Sequence, residues 1–191
     1  MEGSHFIQTG KLVKLSEQQL VDCSRIYPDV NDGCDGGLEV LAFNYAINNA
    51  LELEADYPYK AKTGKKCLAK KSIEKVGVKS YVRVPNDSVA QLKAAVDKQP
   101  TCVSVDASGH TFSTYTKGIM NSKKCGTNLD HAVTAVGYGK EGNNEYLIVR
   151  NSWTASWGEE GYFRIAINAD GDGICGILMD SSRPTTTTDM Y

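Results

Sequence analysis

The spacing of the apolar residues changes near residue 76, and that change constrains the fold more than any other feature of the chain. Ahead of it the pattern is helical. Ser16-Glu17-Gln18-Gln19 reads as a capping box, with Ser16 as N-cap and the Gln19 side chain reaching back, and opens a short helix through Leu20 and Val21 toward Cys23. After a loop containing Pro28, Asp29, Asn31, Asp32 and Gly33, apolar residues recur at Leu38, Leu41, Ala42, Tyr45 and Ala46, the spacing of an amphipathic helix. From Val76 onward β-branched and aromatic residues dominate. Strands are expected at 102–107, 132–138, 145–150 and 161–167, between clusters of Gly, Asn and Asp. One helix interrupts them, capped by Ser88 with Gln91 and ending before Pro100. The reading is a helical lobe over 1–81, a β-rich lobe over 82–182 and a C-terminal tail over 183–191, whose run of threonines without periodicity suits an exposed strap or frayed end.

The 191 residues, 41% of them hydrophobic, suffice to bury a core in one domain or two small lobes. Lys plus Arg number 21 against 23 Asp plus Glu, and the signs are mixed along the chain, so neither nucleic acid nor a membrane surface is an expected partner. The lysines crowded into 60–75 read as a solvated loop. Apolar runs are strand-sized, far short of the ~18 to 20 residues of a transmembrane helix, so no membrane insertion is expected. Residues 1–20 hold no apolar run behind a basic start, so no signal peptide is expected in them and an intracellular assembly is possible. Cysteines at 23, 34, 67, 102, 125 and 175 form no CxxC pair of the metal or redox kind, which leaves disulfides, and hence an oxidising compartment, as the expectation. The segment 168–173 imitates the start of a calcium loop, but its twelfth position is Met179 rather than a bidentate acid. A glycine-rich turn explains it, and neither a metal nor a cofactor is expected. Asn86-Asp87-Ser88 is a glycosylation triplet of a kind common by chance.

His131 and Asn151 stand out because the segment between them reads as strand, turn and strand, the turn being the Gly/Asn-rich stretch 139–144. With Tyr138 facing Glu145, the hairpin places His131 opposite Ser152 and beside Asn151, within reach of cross-strand side chains. An amide oxygen there can accept from the imidazole N–H and fix the ring's tautomer. The other ring nitrogen is then left to serve a nucleophile as base. A histidine at a strand end is more often structural, so the pair alone does not establish an enzyme.

Five motifs supply the context: 15–23 (Leu-Ser-Glu-Gln-Gln-Leu-Val-Asp-Cys), Gly33-Cys34-Asp35-Gly36-Gly37, Tyr57-Pro58-Tyr59, Asp130-His131-Ala132-Val133, and Asn151-Ser152-Trp153 with Trp157-Gly158. In sequence, order and extent they resemble papain and the cathepsin L group of cysteine peptidases. The resemblance implies an α+β papain-like fold of two lobes, a helical left one and a β-barrel-like right one, with substrate between them. Met1-Glu2-Gly3 resembles a point partway along the family's central helix, so most of that helix is expected to be missing. By the same resemblance His131 is the general base and acid, Asn151 its orienting partner and Trp153 the indole shielding their bond. Gly36 and Gly37 match the glycines that clamp peptide backbone, and Asp130 adjoins the base. Glu39, Ala132 and Asp180 match the pocket for the second residue before the cut, where two acids predict Lys or Arg. Family pairing implies disulfides Cys23–Cys67 and Cys125–Cys175, each closing about 45 to 50 residues and contributing ~3 to 4 kcal/mol. Cys34 is then unpaired, its family partner lying upstream, and Cys102 is expected as a buried thiol outside any disulfide. Trp157 reads as core, and His5 and His110 match no motif. Thr154 and Ser156 stand where the family favours glycine, and Arg183 where an aromatic is usual.

The family's nucleophile lies in a Cys-Gly-Ser-Cys-Trp type motif some 130 to 150 residues ahead of its His and Asn. No such motif occurs in these residues, and the glutamine of the oxyanion hole is likewise expected upstream. Two readings follow. In one, a truncated, catalytically dead pseudoenzyme serves as a scaffold or interaction subunit, with a protein partner or N-terminal segment filling the trough left by the helix. In the other, the chain is a piece of an active lysosomal, vacuolar or secreted cysteine endopeptidase that acts on peptide or protein once complemented.

Overall fold

The computed structural model describes residues 1–26, 30–70 and 75–185. Pro28 and Asp29 of the first loop, part of the lysine-rich stretch, and the tail from 186 lie outside the described residues. The chain divides into two compact units, Met1–Val82 with the residues from Pro184 onward, and Arg83–Arg183.

The first unit holds helices α1 (Glu2–Thr9), α2 (Glu17–Cys23) and α3 (Glu39–Asn49), and strands β1 (Leu51–Glu52) and β2 (Lys75–Val76), which pair antiparallel; β3 (Ser80–Arg83) leads out of it. Ser16 caps α2 as the sequence predicts, its Oγ accepting from Gln19 N–H at 2.9 Å. The Gln19 side chain does not reach back, however. Its Nε2 donates to Tyr45 Oη (2.9 Å) and Ala50 O (3.0 Å), its Oε1 accepts from Glu52 N–H (2.7 Å), and Ser16 N–H goes to Glu52 O instead. The inward face of α2 is therefore polar: Gln18, Gln19 and Asp22 are buried, and each is satisfied. Gln18 Nε2 donates to Asp22 Oδ1 and Lys62 O, and Asp22 also accepts from Tyr57 Oη and Gly64 N–H. Burial, with the Asp22 carboxylate beside it, pushes the Tyr57 phenol up to about 12. Around this network pack Leu15, Tyr45, Ala46, Leu51, Tyr57 and Val76, stapled by the Cys23–Cys67 disulfide. Helix α3 buries Tyr45 and Ala46 as expected, but Leu38 is exposed and Val40 and Phe43 take its place. Leu38 is the extended N-cap residue, so its side chain falls outside the helical stripe.

The second unit holds α4 (Val89–Lys98), β4 (Thr101–Val105), α5 (His110–Ser113), β5 (Ile119–Met120), β6 (His131–Glu141), β7 (Asn144–Arg150), β8 (Tyr162–Ala166) and the first three residues of β9 (Ser181–Thr185). The strands lie in the order β9-β4-β6-β7-β8-β5, antiparallel except for the parallel β5–β8 pair. Helices and a mostly antiparallel sheet held in separate parts of one chain make the α+β class predicted. The core is apolar, with Val103, Val105, Phe112, Leu147, Val149, Phe163, Ile165 and Ile177 all fully buried. Each such side chain contributes about 1.5 to 3 kcal/mol of burial. Strand β9 runs to Thr185 with Arg183 buried, so the tail expected from residue 183 is strand at its start.

The β6–β7 hairpin departs from the predicted register. Glu141 pairs with Asn144, which leaves a two-residue turn at Gly142-Asn143 with Gly142 at φ 59°, and Tyr138 faces Leu147 rather than Glu145. Gly139 belongs to the strand. A Cβ there would lie 2.6 Å from Tyr146 Oη, so the missing side chain makes room for the tyrosine across the ladder and does not mark the turn. A bulge at Val136 then shifts the pairing by one residue, and the ladder ends with Thr134 opposite Arg150.

Candidate active site

His131 is the first residue of β6, opposite Val105 of β4, and Asn151 follows the last residue of β7. The predicted pair forms: His131 Nε2 lies 2.8 Å from Asn151 Oδ1. Asn151 is 7% exposed and anchored through its own N–H to Gly161 O at 2.9 Å. The tautomer follows from its other partner. Ser152 N–H can only donate, and it lies 2.7 Å from the same Asn151 oxygen. The amide is thus held with its oxygen toward the ring, so Nε2 carries a proton, and the neutral form of the ring leaves its lone pair on Nδ1. A neutral imidazole held this way can remove a proton from an acid approaching Nδ1 and return it later.

Aromatic rings enclose the pair. Trp153 lies with its centroid 5.1 Å from the imidazole, tilted by 32°, and stays partly exposed. Phe112 stands edge-on to both His131 (6.1 Å) and Trp153 (5.5 Å) and is itself fully buried. Sequence reading missed Phe112, which sits on the four-residue helix α5 with no periodicity to mark it. Trp157 stacks on Phe112 at 5.4 Å and packs against the core, the role expected of it. Thr154, in the loop between Asn151 and Gly161, adopts φ 70°, the left-handed conformation that explains why glycine suits the position, and its Oγ1 lies 2.8 Å from Ser156 Oγ.

Asp130 is exposed, yet its Oδ1 accepts from Ala107 N–H at 2.7 Å. Ala132 pairs with Ser104, whose N–H donates to Asp180 O, so both come to the same position of β4. The Asp180 carboxylate pairs with Arg83 at 3.4 Å. In the first unit Gly36 (φ 123°) faces open space, whereas a Cβ on Gly37 would lie 2.4 Å from Asn31 Oδ1. Glu39 opens α3. Both disulfides form as the resemblance implied, and Cys34 and Cys102 take part in neither; Cys34 is exposed, and Cys102 is half-buried rather than buried as expected. His5 lines a cleft of the first unit, and His110 lies 3.3 Å from Thr114 Oγ1. No group of three metal-ligating side chains occurs among the described residues. Asp170 of the calcium-loop imitation instead accepts from Val89 N–H at 2.8 Å, capping α4. No helix among the described residues is long and apolar enough to cross a membrane.

A family model described as papain family cysteine protease matches residues 1–185. The chain is 47% identical over 186 residues to cysteine proteinase COT44 of Brassica napus, covering 96% of this chain and 56% of that protein. It is 46% identical over 186 residues to cysteine proteinase RD21A of Arabidopsis thaliana, covering 96% of this chain and 39% of the relative. The chain therefore spans between 39% and 56% of the length of these curated relatives. Among solved structures it superposes on the Carica candamarcensis cysteine protease CMS1MS2, in complex with E-64, with a TM-score of 0.87 and 39% identity over 97% of this chain and 83% of that one. It superposes on the bromelain protease of Ananas comosus with a TM-score of 0.85 and 44% identity over 96% of this chain and 83% of that one. Taken with the site geometry, a family match across residues 1–185 places the chain in the papain family of cysteine proteases.

Proposed function

We propose that these residues build the general-base half of a cysteine peptidase centre, with His131 as base and acid, Asn151 holding its tautomer and Trp153 covering their bond, and that on their own they do not hydrolyse peptides. The observation that carries the reading is the 2.8 Å His131–Asn151 bond, which leaves Nδ1 as the working nitrogen. Within the second unit no thiol is placed to meet that nitrogen. Cys125 and Cys175 are consumed in a disulfide, and Cys102 pairs with Thr134, three rungs along the ladder from His131, or roughly 10 Å. Cys34 lies in a single 3-10 turn of the first unit, ahead of α3 and not in the first turn of an α-helix that would activate it. A base without its nucleophile retains little catalysis, because the members act as a unit. The chain is then a scaffold whose partner, a separate protein or an N-terminal segment, covers Phe6, Ile7 and Leu12, all exposed on or just beyond α1. Two disulfides suit an oxidising compartment, vacuolar, lysosomal or secreted.

The purified 191-residue chain, offered a fluorogenic peptide and a peptidyl epoxide that alkylates cysteine nucleophiles, is expected to give neither turnover nor adduct. Turnover that disappears in Cys34→Ser or Cys102→Ser overturns the reading. A second reading, an active endopeptidase of which this is one part, is favoured by the undamaged His131–Asn151 geometry and by the partial span of the relatives. Intact mass and epoxide labelling of the protein isolated from its source separate the two, since a labelled cysteine outside these residues establishes the enzyme. In that case Gly36 and Gly37 of the first unit hold peptide backbone, and the Asp180 carboxylate of the second unit, level with Ala132 on β4, favours Lys or Arg two residues before the cut. Arg83 already pairs with Asp180, which makes the preference modest, and profiling that returns only Leu or Phe there refutes it.

A further inference from the structure

His131 is held from the side of its ring by Asn151, but something must also hold the chain that delivers it. The residue before it, Asp130, leaves a loop that begins at the disulfide cysteine Cys125 and carries Gly126, Thr127, Asn128 and Leu129. Exposed main chain of this kind needs tethers if the first residue of a strand is to stay in place. The tether is a buried acid. Asp106, the residue after β4, is 4% exposed, and its carboxylate accepts three hydrogen bonds. Oδ1 takes Ser108 N–H (3.2 Å) and Ser108 Oγ–H (2.7 Å), and Oδ2 takes Asn128 N–H (3.0 Å). Its own N–H donates to Cys175 O at 2.8 Å, on the partner half of the disulfide that starts the loop. Asp130 returns the contact, its Oδ1 accepting from Ala107 N–H at 2.7 Å while its N–H donates to Val105 O at 3.1 Å. Each strand end thus contributes a carboxylate that binds main-chain N–H of the other. Gly126 completes the fit, since a Cβ there would lie 2.2 Å from Asp106 Oδ2.

We propose that Asp106 is a positioning residue for His131, acting through Asn128 and the 125–130 loop to hold the imidazole against Asn151 in the Nε2–H tautomer. The assignment rests on the reading of His131 as the base. Asp106→Asn nearly keeps the shape but sets an amide NH2 against the Asn128 N–H, or else against the Ser108 donors, and so breaks one arm of the clasp. Ser108→Ala removes a single donor and leaves the Asn128 arm intact.

The test is nitrogen NMR of the 191-residue protein labelled at histidine, in which His131 is one of three histidines. In the unmodified protein, with the ring in its neutral form, His131 is expected to show separate protonated Nε2 and unprotonated Nδ1 signals. In Asp106→Asn the two signals should move toward each other as the tautomers mix, with about tenfold faster hydrogen exchange at Asn128 N–H. Ser108→Ala should move them less and in the same direction. A control, Arg164→Ala, should lower the melting temperature without moving them. His131 signals unchanged in Asp106→Asn despite a lower melting temperature would overturn the proposal and leave Asp106 a purely structural acid. If that variant fails to fold, Gly126→Ala, whose Cβ would meet the Asp106 Oδ2 that receives Asn128 N–H, decides by the same signals. Absence of the Nε2–H tautomer in the unmodified protein would instead sink the reading of His131 as base.

Discussion

Thr154 holds a backbone angle, φ 70°, that a β-branched side chain adopts only under strain, and the residue is exposed, so no buried contact offsets it. The left-handed region costs an L-residue about 1 to 2 kcal/mol, while glycine gives back about 0.5 to 1 kcal/mol through its looser unfolded chain. Thr154→Gly is therefore expected to stabilise the second unit by about 0.5 to 1 kcal/mol, read as a higher urea midpoint; a lower midpoint would show that the Thr154–Ser156 hydroxyl contact outweighs the strain. At this scale the residues of the candidate site were legible where a motif named them, as for His131, Asn151 and Trp153. Phe112 was not. Its importance lies in being where β6, the 153 loop and the core converge, and no local pattern encodes a convergence.

Strand β5 is only two residues long, too short for backbone pairing alone to hold it to β8, and side chains supply the rest. Glu159 accepts from Arg164 Nε (2.9 Å) and Nη2 (2.8 Å) and from Gly118 N–H (2.8 Å), next to β5, while Tyr115 Oη bridges Gly118 O and Arg164 N–H. The Arg164 guanidinium, first among these donors, holds the Glu159 carboxyl below the usual glutamate range. A group whose pKa is lowered on folding adds stability above its unfolded value, ~4.3, and that stability disappears as pH falls through the folded value. Glu159→Gln should cost about 1 to 2 kcal/mol at pH 7, and the gap from the parent protein should close below about pH 4. Urea titrations of both proteins at pH 7 and pH 3 check this, and an equal gap at both pH values would exclude the ion pair as its source. Element existence and order were legible because period and capping residues are local signals. Register was not, since Gly139 and Gly142 look alike in sequence although one makes room for Tyr146 and the other turns the chain. The inward face of α2 was hidden for a related reason: the partners that bury Gln18, Gln19 and Asp22 lie tens of residues away, where no capping pattern points.

At the scale of the whole chain, each compact unit has its own core and its own covalent staple, Cys23–Cys67 in the first and Cys125–Cys175 in the second. The separations, 44 and 50 residues, make each bridge worth about 4 kcal/mol through the entropy it removes from the unfolded chain. The staples differ in what lies next to them. The first closes α2 and its polar network, whereas the second begins the loop that Asp106 clasps ahead of His131. Replacing Cys23 and Cys67 by serine should raise hydrogen exchange through α2 and β1 and leave the His131 ring signals in place. Replacing Cys125 and Cys175 should raise exchange through β4 and β6 and mix the His131 tautomers, because the Cys175 carbonyl that receives Asp106 N–H loses its tie to the loop. Exchange mass spectrometry with histidine NMR distinguishes the two patterns. Equal loss of protection in both units from either pair of substitutions would show one cooperative fold, in which His131 could not be unsettled separately from the helices.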